Sequence, residues 1–215
     1  MNLVVRSLSE QAYELIRARI LSGDIAPGVP VRQDAVALQL GVSKIPLREA
    51  LTRLEQDGLL SSHPNRGFVV RPLNADEAEE IFALRFKLEP DAVAKACLVA
   101  TPEDRAKVLI ALGHLEEHQA RANSVDHVAW NRCFHMALIR PGAGLVTAQL
   151  LERLHVLAER YIHVHLEPAG RAAQVRHEHR EMLALWFDGA ADEVKAMTAA
   201  HISATLQELR SRLGL

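Results

Sequence analysis

The chain has 215 residues, 49% of them hydrophobic and 24% charged, with a net charge of −2, which suits one or two ordinary buried cores and excludes a disordered or low-complexity polypeptide. No apolar run approaches the roughly 20 residues that span a bilayer, the start MNLVVRSLSEQ has no signal-peptide pattern, and Cys97 and Cys133 make neither a disulfide framework nor a CxxC pair, so a cytoplasmic protein is expected. The near-neutral balance excludes a chain-wide nucleic-acid coat, but residues 1–72 carry nine Lys+Arg against seven Asp+Glu, and ten of the eleven histidines follow residue 72.

Ser7 and Glu10 have capping-box spacing, and Ala12, Leu15, Ile16, Arg19 and Ile20 recur in helical rhythm until Gly23, which predicts a first helix. After the turn 24–28, residues 33–40 form a short helix stopped by Gly41. A third helix begins at Ser43 as N-cap, tolerates Pro46 in its first turn and stops at Gly58. Two β-prone runs, 59–62 and 67–70, flank His63-Pro64-Asn65-Arg66 and read as a hairpin. Beyond Pro72 no strand signal returns, and Pro102, Pro141-Gly142, Pro168-Ala169-Gly170 and Gly189 punctuate six amphipathic helices: 75–100, 102–122, 124–139, 143–166, 171–188 and 190–213. The expected fold is therefore mainly α, an N-terminal winged helix-turn-helix over 1–72 followed by an all-α antiparallel helical bundle over 73–215.

Leu47, Ala50, Leu51 and Leu54 line one face of the third helix, while Lys44 and Arg48 share another, one turn apart. A helix set after a short Gly-containing turn, with polar and basic residues at its N-terminal end, is what the DNA major groove admits. At the hairpin tip Arg66 stands beside Gly67, whose missing side chain lets the backbone approach a phosphate or the minor groove. Two basic residues alone would read as a solvated face; the hairpin favours DNA.

The segments ILSGDIAPG (20–28), GVSKIPLREALTRLEQDGLL (41–60) and PNRGFVV (64–70) resemble the GntR family of bacterial regulators. The resemblance implies a homodimer on a short palindromic operator in double-stranded DNA, with contacts from Ser43, Lys44, Arg48, Arg66 and Gly67. Asp34 departs from the pattern, standing where many relatives carry a basic residue.

In the helical region Asn131 and His135 share a face with Val128, Leu138 and Ile139; His179 lies with Met182, Leu183 and Trp186; and His201 continues the stripe of Val194, Met197 and Ala204. A single inward histidine is ordinarily a hydrogen-bonded core residue. Three imidazoles and a side-chain oxygen from separate helices make a plausible site for a divalent transition metal if they converge, which periodicity alone leaves open. His163 and His165 diverge on their helix and read as surface residues.

ALRFKLE (83–89), WNRCFH (130–135), HEHREML (177–183) and MTAAH (197–201) resemble the FCD-type ligand domain of the FadR-like branch of the GntR family, in its six-helix form. That resemblance implies a metal of the zinc, nickel or manganese class held by Asn131, His135, His179 and His201, and a ligand-responsive repressor released from DNA by its effector. Asn131 stands where an aspartate is common; asparagine offers an oxygen but no charge, which weakens metal binding and leaves an occupied site electropositive, favouring a small organic or sugar acid. Arg85 is either a bidentate anchor for that acid or the ion-pair partner of Glu89 one turn on.

HLEEH (114–118) matches the HxxEH pattern of inverted zinc peptidases and raises a metal-dependent hydrolase as the alternative, although its charged helix reads as a solvated face. No phosphate-binding loop or nucleophile elbow is present, so no enzyme is expected.

Overall fold

The computed structural model describes residues 7–119, 125–165 and 172–213. The predicted helix ends at 122, 124, 166 and 171 and the side chains of His163 and His165 lie outside what is described. Two compact units divide the chain, Met1–Leu73 and Asn74–Leu215.

In the first unit α1 (Leu8–Leu21) starts where the Ser7 hydroxyl accepts the Glu10 amide at 3.2 Å, satisfying one of the amides a helix start leaves unpaired. Helix α2 (Gln33–Leu40) stops at Gly41, which takes a left-handed conformation with φ 63°. Helix α3 (Lys44–Gln56) buries Leu47, Ala50, Leu51 and Leu54, the face its periodicity predicts. These pack with Ile16 and Leu21 of α1 and with Leu59 and Leu60 in a core with almost no exposure, and each such leucine contributes roughly 1.5–3 kcal/mol. Tyr13 locks α1 to the end of α3, its hydroxyl donating to Asp57 at 2.6 Å while Arg53 lies 4.1 Å from its ring centroid.

Strands β1 (Leu60–His63) and β2 (Gly67–Val70) pair antiparallel, Leu60 opposite Val70 and His63 opposite Gly67. The first strand runs one residue later than predicted, because Leu59 is spent closing the end of α3 with an amide bond to the Leu54 carbonyl. Asn65 turns the chain with φ 64°, a conformation asparagine tolerates better than most residues.

The second unit is all-helical: α4 (Ala75–Val99), α5 (Pro102–Gln119), α6 (Val125–Ile139), α7 (Leu145–His165), α8 (Ala172–Asp188) and α9 (Ala191–Leu213). Asn74 caps α4 by accepting the Asp76 and Glu77 amides, and the Tyr161 hydroxyl of α7 donates to Glu77 at 2.7 Å. Helix α4 packs along α9 and α7, α5 along α6, and α8 along α9. The Trp186 indole donates to the Leu138 carbonyl at 3.2 Å, tying α8 to α6. Between α6 and α7 a 3-10 turn, Arg140–Gly142, lies against α4 so closely that a Cβ on Gly142 would stand 2.3 Å from Ala92 O and Ala96 N. No helix among the described residues is long and apolar enough to cross a membrane.

Candidate functional site

The basic face of the first unit is open to solvent. Ser43 is the N-cap residue of α3, yet its hydroxyl makes no capping bond, so it stays available at the helix start. Lys44 and Arg48 are exposed one turn apart, and Arg66 is exposed at the hairpin tip beside Gly67. Gly67 has φ 69°, and a Cβ there would meet Gln33 Nε2 at 3.2 Å, so both conformation and space favour glycine. The Lys44 ammonium lies 2.8 Å from Asp34, whose hydrogen bond and charge raise the lysine's affinity for its proton. Both partners are well exposed, and such pairs exchange readily for a phosphate because water screens them.

In the helical unit His135, His179 and His201 are buried, and one ligating nitrogen of each lies within 4.8 Å of the others. Periodicity assigned each an inward face, and the bundle brings them together. The ring centroids are 5.3 Å apart for His135 and His179, 5.2 Å for His135 and His201, and 5.0 Å for His179 and His201. Asn131 is half-buried one turn before His135 on α6.

Two carboxylates stand behind this cluster: Glu89, which the sequence placed only beside Arg85, and Glu178, which it did not single out. Glu89, with no exposed surface, lies 3.3 Å from His135 Nδ1 and 3.2 Å from His155 Nε2. Arg85 donates to it through Nε at 2.9 Å and Nη2 at 3.4 Å, so of the two roles open to Arg85 the ion pair is the one present. Burial opposes ionisation of Glu89, but the Arg85 guanidinium, with His155 and His135 beside it, overrides that cost and holds the carboxyl well below its usual range. Glu178, also buried, lies 2.7 Å from His201 Nδ1 and accepts from Gln174 at 3.3 Å.

Burial pushes the pKa of His135 down to about 3 despite the hydrogen bond it donates to Glu89, and that of His155 is lowered by burial and then by Arg85. A neutral imidazole facing an acceptor-only carboxylate carries its proton on the facing nitrogen. His135 therefore presents Nδ1–H to Glu89, and its buried Nε2, which has no hydrogen-bond partner, keeps a lone pair. That orphaned acceptor suits a metal ion. Nitrogens bound to one zinc at 2.0–2.1 Å stand about 3–4 Å apart, so a 4.8 Å spread needs only small side-chain rotations.

Signals for the missed residues existed in part. His155 falls on the stripe of Leu151, Leu154 and Ala158, and Glu178 sits one turn before Met182, all of which are buried or nearly so. HLEEH, by contrast, builds no catalytic centre among the described residues: the His114 ring stacks on Trp130 at 4.2 Å, and the three-ligand grouping found excludes His114, Glu117 and His118. The Trp130 contact also means that this segment is not the fully solvated face its charges suggest.

Comparison with known proteins agrees with the two units. Residues 8–70 match the model of the bacterial regulatory proteins of the gntR family, and residues 80–204 match the FCD domain. The uncharacterized HTH-type transcriptional regulator BphR of Paraburkholderia xenovorans is 30% identical, covering 96% of this chain and 86% of its own. The Nta operon transcriptional regulator of Aminobacter aminovorans is 32% identical, with 82% of each chain covered. Among solved structures, E. coli McbR superposes with a TM-score of 0.80 at 25% identity, covering 97% of this chain and all of that one. These relatives are regulators, not enzymes, and the hydrolase alternative finds no support. The chain belongs to the GntR family and is a DNA-binding transcriptional regulator that joins a gntR-type winged helix-turn-helix to an FCD domain.

Proposed function

We propose that this regulator is a homodimeric, ligand-responsive repressor, bound to a palindromic operator and released from it by a small organic or sugar acid. Ser43, Lys44 and Arg48 contact the major groove from the start of α3, and Arg66 and Gly67 bring the wing tip to the minor groove. The exposure of all three basic residues on one unit supports this assignment.

The observation that carries the sensor half is the buried convergence of His135, His179 and His201. With Asn131 as an uncharged oxygen donor, they would hold a divalent transition ion of the zinc, nickel or manganese class. Such an ion, when bound, supplies positive charge and a Lewis-acid contact for a carboxylate. Arg85 is already engaged by Glu89, so it anchors an effector acid only by exchanging one carboxylate for another. Effector and operator affinities are coupled reciprocally through the dimer.

Elemental analysis of protein purified without chelator, joined to a thermal-shift panel of lactate, citrate and gluconate with and without zinc, nickel and manganese, tests the sensor. A stabilising acid is expected to require metal and to weaken operator binding at fixed salt. Metal-free protein that still releases DNA on addition of the acid would overturn the metal site; a stabilising acid that leaves operator affinity unchanged would overturn the coupling.

A further inference from the structure

We infer that Asp34 is an electrostatic brake on DNA binding: paired with Lys44 at the start of α3, it brings a negative charge into the DNA-facing surface and cancels one of the positive charges offered to the phosphates. The inference rests on the reading of Lys44 as a DNA contact and concerns a residue which that reading does not use.

Two observations place Asp34 in that surface. Its carboxylate lies 2.8 Å from the Lys44 ammonium, joining the first turn of α2 to the first turn of α3. The residue before it, Gln33, lies against the wing, where a Cβ on Gly67 would meet its Nε2 at 3.2 Å. The first turn of α2 therefore touches both elements that carry DNA contacts, α3 through Asp34 and the wing through Gln33.

The side chains of Asp34 and Lys44 are 82% and 77% exposed, so their pairing contributes little to folding and acts on whatever approaches this face. A duplex carries one negative charge per about 1.7 Å of its axis, and a carboxylate at the contact face meets phosphates whatever the base sequence. If Lys44 stays on Asp34, the phosphates gain no charge from it. If Lys44 turns to a phosphate, Asp34 is left among anions. Either way the pair enters the interface with no net charge, and Arg48 and Arg66 supply the attraction there. A carboxylate in the first turn also suits the helix dipole, but that role has the opposite signature: its loss would weaken DNA binding at every salt concentration.

Anisotropy titration of a fluorescent random-sequence duplex with the full chain, between about 50 and 200 mM salt, tests this, because a random duplex is held mainly by its phosphates. Asp34→Asn keeps the shape and removes the charge. It should bind more tightly than wild type, with a plot of log affinity against log salt steeper by about 0.9, so that its advantage is roughly three- to fourfold larger at the low end of the salt range than at the high end. Lys44→Met should flatten the slope by about one phosphate contact. The double variant carries neither charge and should return close to the wild-type slope.

A Lys44→Met slope equal to that of wild type would overturn the Lys44 contact itself. With that slope flattened, an Asp34→Asn slope no steeper than wild type, or weaker binding at every salt concentration, would overturn the brake alone. So would a double variant that keeps the slope of Lys44→Met, since the two charges would then not offset one another.

Discussion

Replacing Glu89 by glutamine should be among the costliest conservative changes in the helical unit. The variant keeps volume and one acceptor oxygen, so nothing is lost in packing. What disappears is the counter-ion of Arg85, whose side chain is 3% exposed and whose charge is met through two nitrogens by Glu89. Removing one partner of a buried pair strands the other and typically costs 3–5 kcal/mol. Near the melting temperature that corresponds to a fall of roughly 6–20 °C for a chain of this size. The double variant Arg85→Met, Glu89→Gln removes both charges yet keeps an acceptor oxygen for the facing imidazoles, and should recover most of the loss, because the pair itself was bought with a large desolvation cost. Urea titration of the metal-free wild type, single and double variants, followed by circular dichroism, measures all three. A Glu89→Gln variant within about 1 kcal/mol of wild type, or a double variant no better than the single, would refute the reasoning.

Three further outcomes follow from particular contacts. His135 takes a proton in the folded chain only near pH 3 because burial disfavours the imidazolium, against about 6.5 when unfolded. Its folded value is depressed, so the stability of chelator-treated protein should be intact above about pH 6.5 and decline towards pH 3. The decline should reach about 1.4 kcal/mol per unit, with a shallower slope in His135→Gln; a flat wild-type profile between pH 6.5 and 4 contradicts this. Gly142→Ala should destabilise by at least about 2 kcal/mol, since the new methyl meets α4 backbone at 2.3 Å; a rise in melting temperature would show that the turn can simply move away. Arg66→Ala should weaken operator binding across sequences and reduce the salt dependence of log affinity by about one phosphate contact, measured by anisotropy at several salt concentrations; an unchanged slope removes Arg66 from the interface.

The first unit was almost fully legible because its signals are local. The rhythm of Leu47, Ala50, Leu51 and Leu54, the stop at Gly41 and the Asn65 turn each act within a few residues. The inward histidines were legible for the same reason, since periodicity fixes where a side chain points relative to its own helix axis. It does not fix what arrives from another helix. Hence Glu89 could be paired in advance with Arg85, four residues away, but not with His135 on α6 or His155 on α7. The stacking of His114 on Trp130 escaped notice because it joins α5 to α6 across a face whose sequence is rich in charge. The 3-10 turn was hidden inside Pro141-Gly142, which signals a break without saying that it rests on α4.

The burial of the histidine cluster also has a consequence for rates. His135 is 1% exposed, His179 2% and His201 6%, so an ion or acid of the kind proposed would reach these nitrogens only after the surrounding side chains give way. Entry is then paced by the opening of the bundle, and the observed on-rate should level off as the concentration of the incoming species rises. Departure would be paced by the same opening, giving such a bound state a long residence time.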